Sequence, residues 1–345
     1  MCPNHLRKYP QETVAAILAA NDIVDVIGAR LNLKPSGSGR FVALCPFHQE
    51  RTPSFTVSRN WQRFYCFGCG KGGDAVAFLR EMDGLHFTEA LGKLAERAGM
   101  PLPALTETDD KESFERKQLY ELGKVAARFF KQTLEDPLKG SAARQYLKDR
   151  TIKPEIIRRF GLGYAPNDWD SLVTVLRKAG FQEAVLRASG LVRRGEHGSD
   201  YAFFRNRLMF PIRDLSGNVV AFGGRDLSAD RQTAKYINTA ETLVYKKGQV
   251  LYGLYESREA LRREKRAFVV EGYFDLLRCF EAGIENVVAT CGTALTSAQA
   301  NRLGRHVPEV VIVFDGDAAG VRAALRGVGI LTAAGLSVRA LLLPD

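Results

Sequence analysis

The stretch Val310-Val311-Ile312-Val313-Phe314-Asp315-Gly316-Asp317-Ala318-Ala319-Gly320 decides the fold class of this chain. An apolar, β-branched run of strand length ends at two aspartates one residue apart, and a small-residue segment of helical character follows. In open α/β sheets, ligands bind beyond the carboxyl ends of the strands. Period-2 geometry predicts that Asp315 and Asp317 point the same way. Two adjacent carboxylates repel each other unless a cation lies between them, and hard divalent cations such as Mg2+ take that oxygen set. A surface turn that carries two aspartates is the alternative.

Upstream, Ala267–Val270 has the composition of a buried strand and ends at Glu271-Gly272-Tyr273-Phe274-Asp275. Leu276–Glu281 reads as a helix and Asn286–Ala289 as the next strand. Gly292-Thr293-Ala294-Leu295-Thr296 opens another helix, which leads to the strand Glu309–Phe314. Repeated strand–helix alternation argues for a parallel sheet. Glu271 then shares an edge with Asp315 and Asp317. Three acids converging on one edge are costly unless a metal compensates them. Cys279 and Cys291 read as packed thiols.

Further upstream the chain is basic and punctuated by glycine. Phe203–Ile212 and Val219–Arg225 bracket a turn at Ser216-Gly217-Asn218, with arginines alternating with apolar positions. That pattern predicts one buried and one charged face. Arg205, Arg207 and Arg225, together with Lys235-Tyr236-Ile237-Asn238 and Lys246-Lys247, are candidate contacts to phosphates, with a solvated basic face as the alternative. Helices are expected over 142–147, 154–160 and 169–179, and from about 114 to 133. The polar run at 104–115 reads as a linker.

The first hundred residues carry a different chemistry. Residues 11–31 have helical periodicity, broken at Pro35-Ser36-Gly37. Short strands are expected at Phe41–Leu44, Ser54–Ser58 and Arg63–Phe67, the last two joined by a hairpin. Cys45-x-x-His48 and Cys66-x-x-Cys69 stand at strand ends, separated by residues 49–65. Three thiolates and an imidazole from two turns close a tetrahedron around one Zn2+, and four protein ligands make such a site structural. A redox reading of Cys66-x-x-Cys69 leaves Cys45 and His48 unexplained. Arg51, Arg59, Arg63, Trp61, Phe64 and Tyr65 interleave basic and aromatic residues, a pattern suited to a single strand of nucleic acid or to an ordinary charged hairpin. Cys2-x-x-His5 lacks a second half and reads as coincidence. Asp74 is expected to cap the helix Ala75–Met82.

The 345 residues predict two or three domains. A net charge of +10 favours a polyanionic partner. No run approaches the roughly 18 apolar residues of a membrane span, and no charged-then-apolar leader opens the chain. A cytoplasmic protein without membrane contact is expected.

Three motif sets share one resemblance. Cys45-Pro46-Phe47-His48-Gln49-Glu50-Arg51-Thr52-Pro53-Ser54-Phe55 and Phe64-Tyr65-Cys66-Phe67-Gly68-Cys69 resemble the zinc-binding domain of bacterial DNA primases, the DnaG family. Tyr146-Leu147-x-x-Arg150, Arg205-Asn206-Arg207-x-Met209-Phe210-Pro211, Phe222-Gly223-Gly224-Arg225, Lys235-Tyr236-Ile237-Asn238 and Leu251-Tyr252-Gly253-Leu254 resemble the primase polymerase core. Val270-Glu271-Gly272-Tyr273-Phe274-Asp275 and Phe314-Asp315-Gly316-Asp317 resemble the Toprim domain shared with topoisomerases and related nucleases. A proline is usual in the family where Ala240 stands.

The resemblance implies a multidomain α/β and α+β chain: a zinc-ribbon-like domain at 1–103, a linker at 104–115, a mixed α+β basic subdomain at 116–264, and an α/β parallel-sheet Toprim domain from 265. It implies a nucleotidyltransferase that makes short RNA primers on single-stranded DNA from ribonucleoside triphosphates. Glu271, Asp315 and Asp317 are its catalytic, Mg2+- or Mn2+-binding acids. Arg150, Arg225, Lys235 and Lys247 are its nucleotide or nucleic-acid contacts. It further implies a monomer at the replication fork, with a replicative helicase bound through a C-terminal domain beyond this chain. A second Asp-x-Asp pair is expected just past Leu343-Pro344-Asp345, so the chain reads as truncated. Another Toprim nuclease or topoisomerase, or single-stranded-DNA binding without catalysis, are the competing readings.

Overall fold

A computed structural model describes residues 9–102, 107–195, 198–228, 233–292 and 294–343. Cys2 and His5, residues 103–106, Thr293, Pro344 and Asp345, all singled out above, lie outside the described residues. The chain forms two compact units, Met1–Ser113 and Phe114–Asp345.

In the first unit, Phe55, Val57, Phe64 and Cys66 are buried while the residues between them face outward, the period of a half-buried strand. They lie on β3 (Phe55–Ser58) and β4 (Arg63–Cys66) of an antiparallel sheet completed by β1 (Lys34–Pro35), β2 (Arg40–Ala43) and β5 (Gly72–Gly73). The sheet order is β1-β2-β3-β4-β5. Its inner face meets helices α1 (Gln11–Ala19), α2 (Ile23–Gly28), α3 (Ala75–Asp83) and α4 (Phe87–Arg97). Phe47, Phe55, Phe64 and Phe78 form the centre, with ring centroids 5.1–6.2 Å apart.

Residues 11–31, expected as one helix, form two. The buried Asn21 donates its side-chain amide to Ile17 O and Leu94 O, and Asp22 caps α2 by accepting from Val24 N. Asparagine and aspartate compete with the helix for backbone groups, and here they win. Asp74 caps α3 through Ala77 N as expected.

The polar run expected as a linker is helical from Glu107 onward. It belongs to α5 (Glu107–Glu135), along which the chain passes from the first unit to the second. The apolar face of that helix, with Leu119, Leu122, Ala126 and Phe130 buried, outweighs the polar composition of its first turns.

Short helices follow: α6 (Ser141–Asp149), α7 (Pro154–Phe160), then α8 (Ser171–Lys178) and α9 (Glu183–Ala188) after β6 (Gly163–Ala165). β7 (Val192–Arg194) and β8 (Asp200–Ala202) make a separate hairpin. β9 (Arg207–Arg213), β10 (Val219–Asp226) and β11 (Tyr236–Asn238) join β6 in an antiparallel sheet of order β11-β10-β9-β6. One charged and one buried face were expected here. Instead Arg207–Ile212 and Val219–Gly224 are buried continuously, because both faces of the sheet are covered.

The last segment is the expected α/β layer. α10 (Leu254–Glu264) precedes β12 (Arg266–Val270), α11 (Tyr273–Glu281), β13 (Val287–Ala289), α12 (Ser297–Gly304), β14 (Glu309–Asp315), α13 (Ala318–Ala333) and β15 (Ser337–Leu343). All strand pairs in the sheet β13-β12-β14-β15 are parallel. α12 starts later than expected, at Ser297, because Thr296 caps it by accepting from Gln299 N. Val310, Ile312 and Phe314 are buried under α12 and α13, which anchors the strand that delivers Asp315.

Candidate functional site

In the first unit, ligand atoms of Cys45, His48, Cys66 and Cys69 lie within 4.8 Å of one another. Cys45 follows β2 and Cys66 ends β4, so the sheet holds the two ligand turns side by side. Cys45 Sγ is 3.8 Å from Cys69 Sγ, and Cys66 Sγ is 3.6 Å from His48 Nδ1. Phe47 N and Cys69 N donate to Cys45 Sγ and Cys66 Sγ at 3.4 Å, as backbone amides do toward thiolates. All four cysteine and histidine side chains converge, and the cysteines are free rather than disulfide-bonded. Burial pushes the Cys45 thiol up. At Cys66 burial acts the same way, but the Ser54 hydroxyl and Cys69 N–H outweigh it and hold that thiol below its ordinary value. A Zn2+ ion fits this donor set, since it stabilises thiolates that burial disfavours. Gly68 is required by contact: a Cβ there would stand 2.4 Å from His48 Nε2 and 2.9 Å from Ser54 Oγ.

The outer face of the same sheet is open. Arg40, Arg63, Trp61, Tyr65 and Phe67 line a depression of about 630 Å3, with Trp61 and Phe67 about three-quarters exposed. Phe64, grouped with these at the sequence level, points inward instead.

In the second unit, Val269 pairs with Ile312, so Glu271 and Asp315 emerge together beyond the carboxyl ends of β12 and β14. Asp315 N donates to Glu271 Oε1 at 3.3 Å. The strand stops at Asp315, so the period-2 geometry used to point Asp315 and Asp317 the same way does not extend to Asp317. Asp317 is the N-cap of α13 and accepts from Gly320 N at 2.6 Å. Among the described residues, the three carboxylates do not close to the mutual 4.8 Å spacing of the cysteine–histidine cluster. Gly316 lies between the two aspartates, and Gly320 packs so tightly that a Cβ would lie 2.1 Å from Asp315 O.

Desolvation, and then the carboxylates of Asp315, Asp275 and Asp317, hold the Glu271 carboxyl above its ordinary value. Asp275 is raised too, by desolvation first and Asp315 second, while the Lys235 ammonium opposes the shift. Asp275 also accepts from Gly272 N at 2.8 Å. It is a fourth acid at this edge, which the sequence reading quoted at the strand end without giving it a role; the helix starts at Tyr273, earlier than the expected Leu276. A pocket of about 270 Å3 opens from Glu271 along Thr290, Leu295 and Phe314 to Arg326.

The basic candidates divide. Arg150 is exposed, 5.3 Å from the Tyr146 ring and 5.5 Å from Phe274. Arg225 lies 5.2 Å from both Tyr146 and Tyr236, with a buried Nε that has no acceptor. Arg205 stacks on Trp169, which is 55% exposed. Trp169 was read only as a helix start. A tryptophan set among Asn167, Asp168 and Asp170 is the signal that could have marked it. Lys235 is exposed and Lys247 half-buried.

Two candidates turn inward. Arg207 is 5% exposed, donates to Gly224 O at 3.1 Å and Ala234 O at 2.9 Å, and stands 3.9 Å from Asp226. Its fork is used inside the protein, so the expected phosphate contact is corrected to a structural one. The Asn238 side chain donates to Cys291 O at 3.0 Å and accepts from Tyr273 Oη at 2.7 Å, joining β11 to α11 and to the loop after β13. The half-buried Tyr236 stacks at 29° on Tyr273, and burial raises its hydroxyl.

Comparison with known proteins follows the same layout. Residues 9–110 match the family described as CHC2 zinc finger, 129–258 the DNA primase catalytic core N-terminal domain, and 265–342 the Toprim domain. The DNA primase of Halalkalibacterium halodurans is 42% identical over 340 residues, covering 98% of this chain and 56% of that protein. The crystal structure of the Aquifex aeolicus primase, zinc-binding and RNA polymerase domains, is 39% identical with a TM-score of 0.62, over 96% of this chain and 79% of that one. A DnaG primase catalytic domain bound to ssDNA is 37% identical with a TM-score of 0.62, over 68% and 73% respectively. Zinc finger, primase core and Toprim layer in this order define a primase-class chain. The chain belongs to the DnaG family of DNA primases, with its zinc site at Cys45, His48, Cys66 and Cys69. It spans about half the length of the curated relatives it matches. Among the described residues, no helix is long and apolar enough to cross a membrane.

Proposed function

We propose that this chain carries the template-reading and nucleotidyl-transfer parts of a DNA primase, a DNA-directed RNA polymerase that makes short primers on single-stranded DNA. The observation that carries the reading is the acid edge, where Glu271 and Asp315 emerge side by side from β12 and β14, and where desolvation and the carboxylates of Asp315, Asp275 and Asp317 push the Glu271 carboxyl up. Such an edge fits a divalent cation bound by Glu271, Asp315 and Asp317. Mg2+ or Mn2+ bound there supplies charge neutralisation for a triphosphate and a Lewis acid for attack at its α-phosphate. Lys235 adds positive charge at the same edge, and Arg150, Arg225 and Lys247 are the proposed phosphate contacts. The Arg225 guanidinium lies 5.2 Å from the Tyr236 ring.

The Arg205–Trp169 stack and the open zinc-unit face suit single-stranded DNA, since aromatic faces stack bases and guanidinium groups track phosphates. The ssDNA-bound relative supports that assignment. The proposed domains are a zinc-binding domain at 1–103, a connection at 104–115, the N-terminal core subdomain at 116–264 and Toprim from 265. A monomer working with a replicative helicase is the proposed assembly, carried by the family resemblance.

Incubating the chain with single-stranded template, ribonucleoside triphosphates and Mg2+ or Mn2+ tests the reading. Short RNA complementary to the template is expected. Template cleavage or relaxation without RNA would replace the proposal with a nuclease or topoisomerase.

A further inference from the structure

The zinc turn contains a charged group that the metal site does not use as a ligand. Glu50 lies between the two ligand pairs, with its side chain only 9% exposed. Three hydrogen-bond donors and the His48 ring converge on its carboxylate. Oε1 accepts from Cys45 N at 2.7 Å and from Ser54 N at 2.9 Å. Oε2 accepts from the Ser54 hydroxyl and lies 3.3 Å from His48 Nε2. Glu50 is outside the four-ligand group, whose histidine faces Cys66 Sγ through Nδ1. Glu50 and Gly68 stand on the Nε2 side of the ring, where a Cβ on Gly68 would lie 2.4 Å from Nε2.

The geometry points to Glu50 as the positioning residue of the zinc site: its carboxylate accepts from His48 Nε2–H, which keeps the proton on Nε2 and leaves Nδ1 as the nitrogen offered to the metal. A metal-bound histidine commonly donates its second ring N–H to a carboxylate, which fixes the tautomer and ring orientation and raises ligand basicity. Here the same carboxylate also ties Cys45 N and Ser54 N, so one side chain sets both the ring and the loop that carries the first ligand pair. Ser54 extends the link, because its Oγ is 3.2 Å from Cys66 Sγ. The inference is independent of the polymerase reading, since it concerns metal binding by the first unit alone.

The test uses the zinc-loaded chain. Long-range 15N–1H correlation spectra are expected to show His48 with a protonated Nε2 and a metal-bound Nδ1. Metal on Nε2 would overturn the assignment without any variant. Glu50→Gln keeps the shape but brings an NH2 group among these donors. In competition with a chromogenic chelator it should bind zinc ~10–100-fold more weakly, the usual loss when such a carboxylate is removed. Ser54→Ala leaves the His48 contact in place and should lose less. Wild-type zinc affinity in Glu50→Gln would also overturn the proposal.

Discussion

The cysteine–histidine cluster and the acid edge are both assembled from strand ends, yet they are built to opposite designs. At the zinc site four ligands already lie within 4.8 Å, backbone N–H groups point at sulfur, and Glu50 braces the histidine. At the sheet edge one carboxylate is occupied in capping α13, and the Glu271 carboxyl is pushed up by desolvation first and by its acidic neighbours after that. A closed set of protein ligands serves a metal that stays and holds the fold. An open edge with unbalanced charge leaves positions for a substrate and for cations that arrive with it.

The largest expected effect follows from the closed design. Stripping zinc with a chelator, or replacing Cys66 with Ser, should unfold the first unit, since structural zinc contributes roughly 10–16 kcal/mol of apparent binding energy to small domains. The second unit should keep its helical circular dichroism and resist proteolysis. A first unit that stays folded without metal would erase the contrast.

Asp315→Asn addresses the open design. Primer synthesis should fall at least ~100-fold, matching the several kcal/mol that a bound cation contributes to a phosphoryl transition state. The thermal midpoint should hold, because an exposed carboxylate is lost from a repulsive cluster. Wild-type synthesis by this variant would remove Asp315 from the site.

Asn238→Ala probes the link beneath that edge. It leaves the hydroxyl of the buried Tyr273 without its acceptor and should cost about 1–3 kcal/mol in denaturant unfolding. An unchanged midpoint would mean that the observed bonds contribute nothing net.

The smallest effect concerns pH. A carboxyl whose folded pKa is raised stabilises the folded chain most below the ordinary glutamate value and loses that contribution as pH rises through the shifted one. Glu271→Gln should remove this decline. In metal-free buffer at neutral pH its midpoint should equal or exceed wild type by about 2–4 °C at most, and Mg2+ should raise the wild type more than the variant. A midpoint below wild type would show that Glu271 is not under charge strain.

What could be read from the chain alone tracks how local each feature is. The zinc ligands sit in two four-residue motifs at strand ends, so spacing was enough to group them. The strand leading to Asp315 announced itself by an unbroken β-branched run. Arg207 and Asn238 misled because their acceptors, Gly224 O, Ala234 O and Cys291 O, belong to other segments. Charge and amide groups look alike in sequence whether they face solvent or a carbonyl. The Arg205–Trp169 stack was hidden for the same reason. β15 went unread because its mostly exposed residues have no alternation of burial, although it pairs with β14 along seven positions. The start of α5 was masked by acidic, polar residues that suit a linker as well as a first helical turn.

The spacing of the two sites along the chain also orders events during synthesis. Cys45 and Cys69 are 24 residues apart, whereas Glu271 and Asp315 are separated by 44 with a strand and two helices between them. Domains form largely as units as the chain leaves the ribosome, the amino-terminal one first. The first unit can therefore capture its zinc and close while the catalytic layer has yet to be translated. Zinc present at that moment is enough to close the first unit before the acid edge exists.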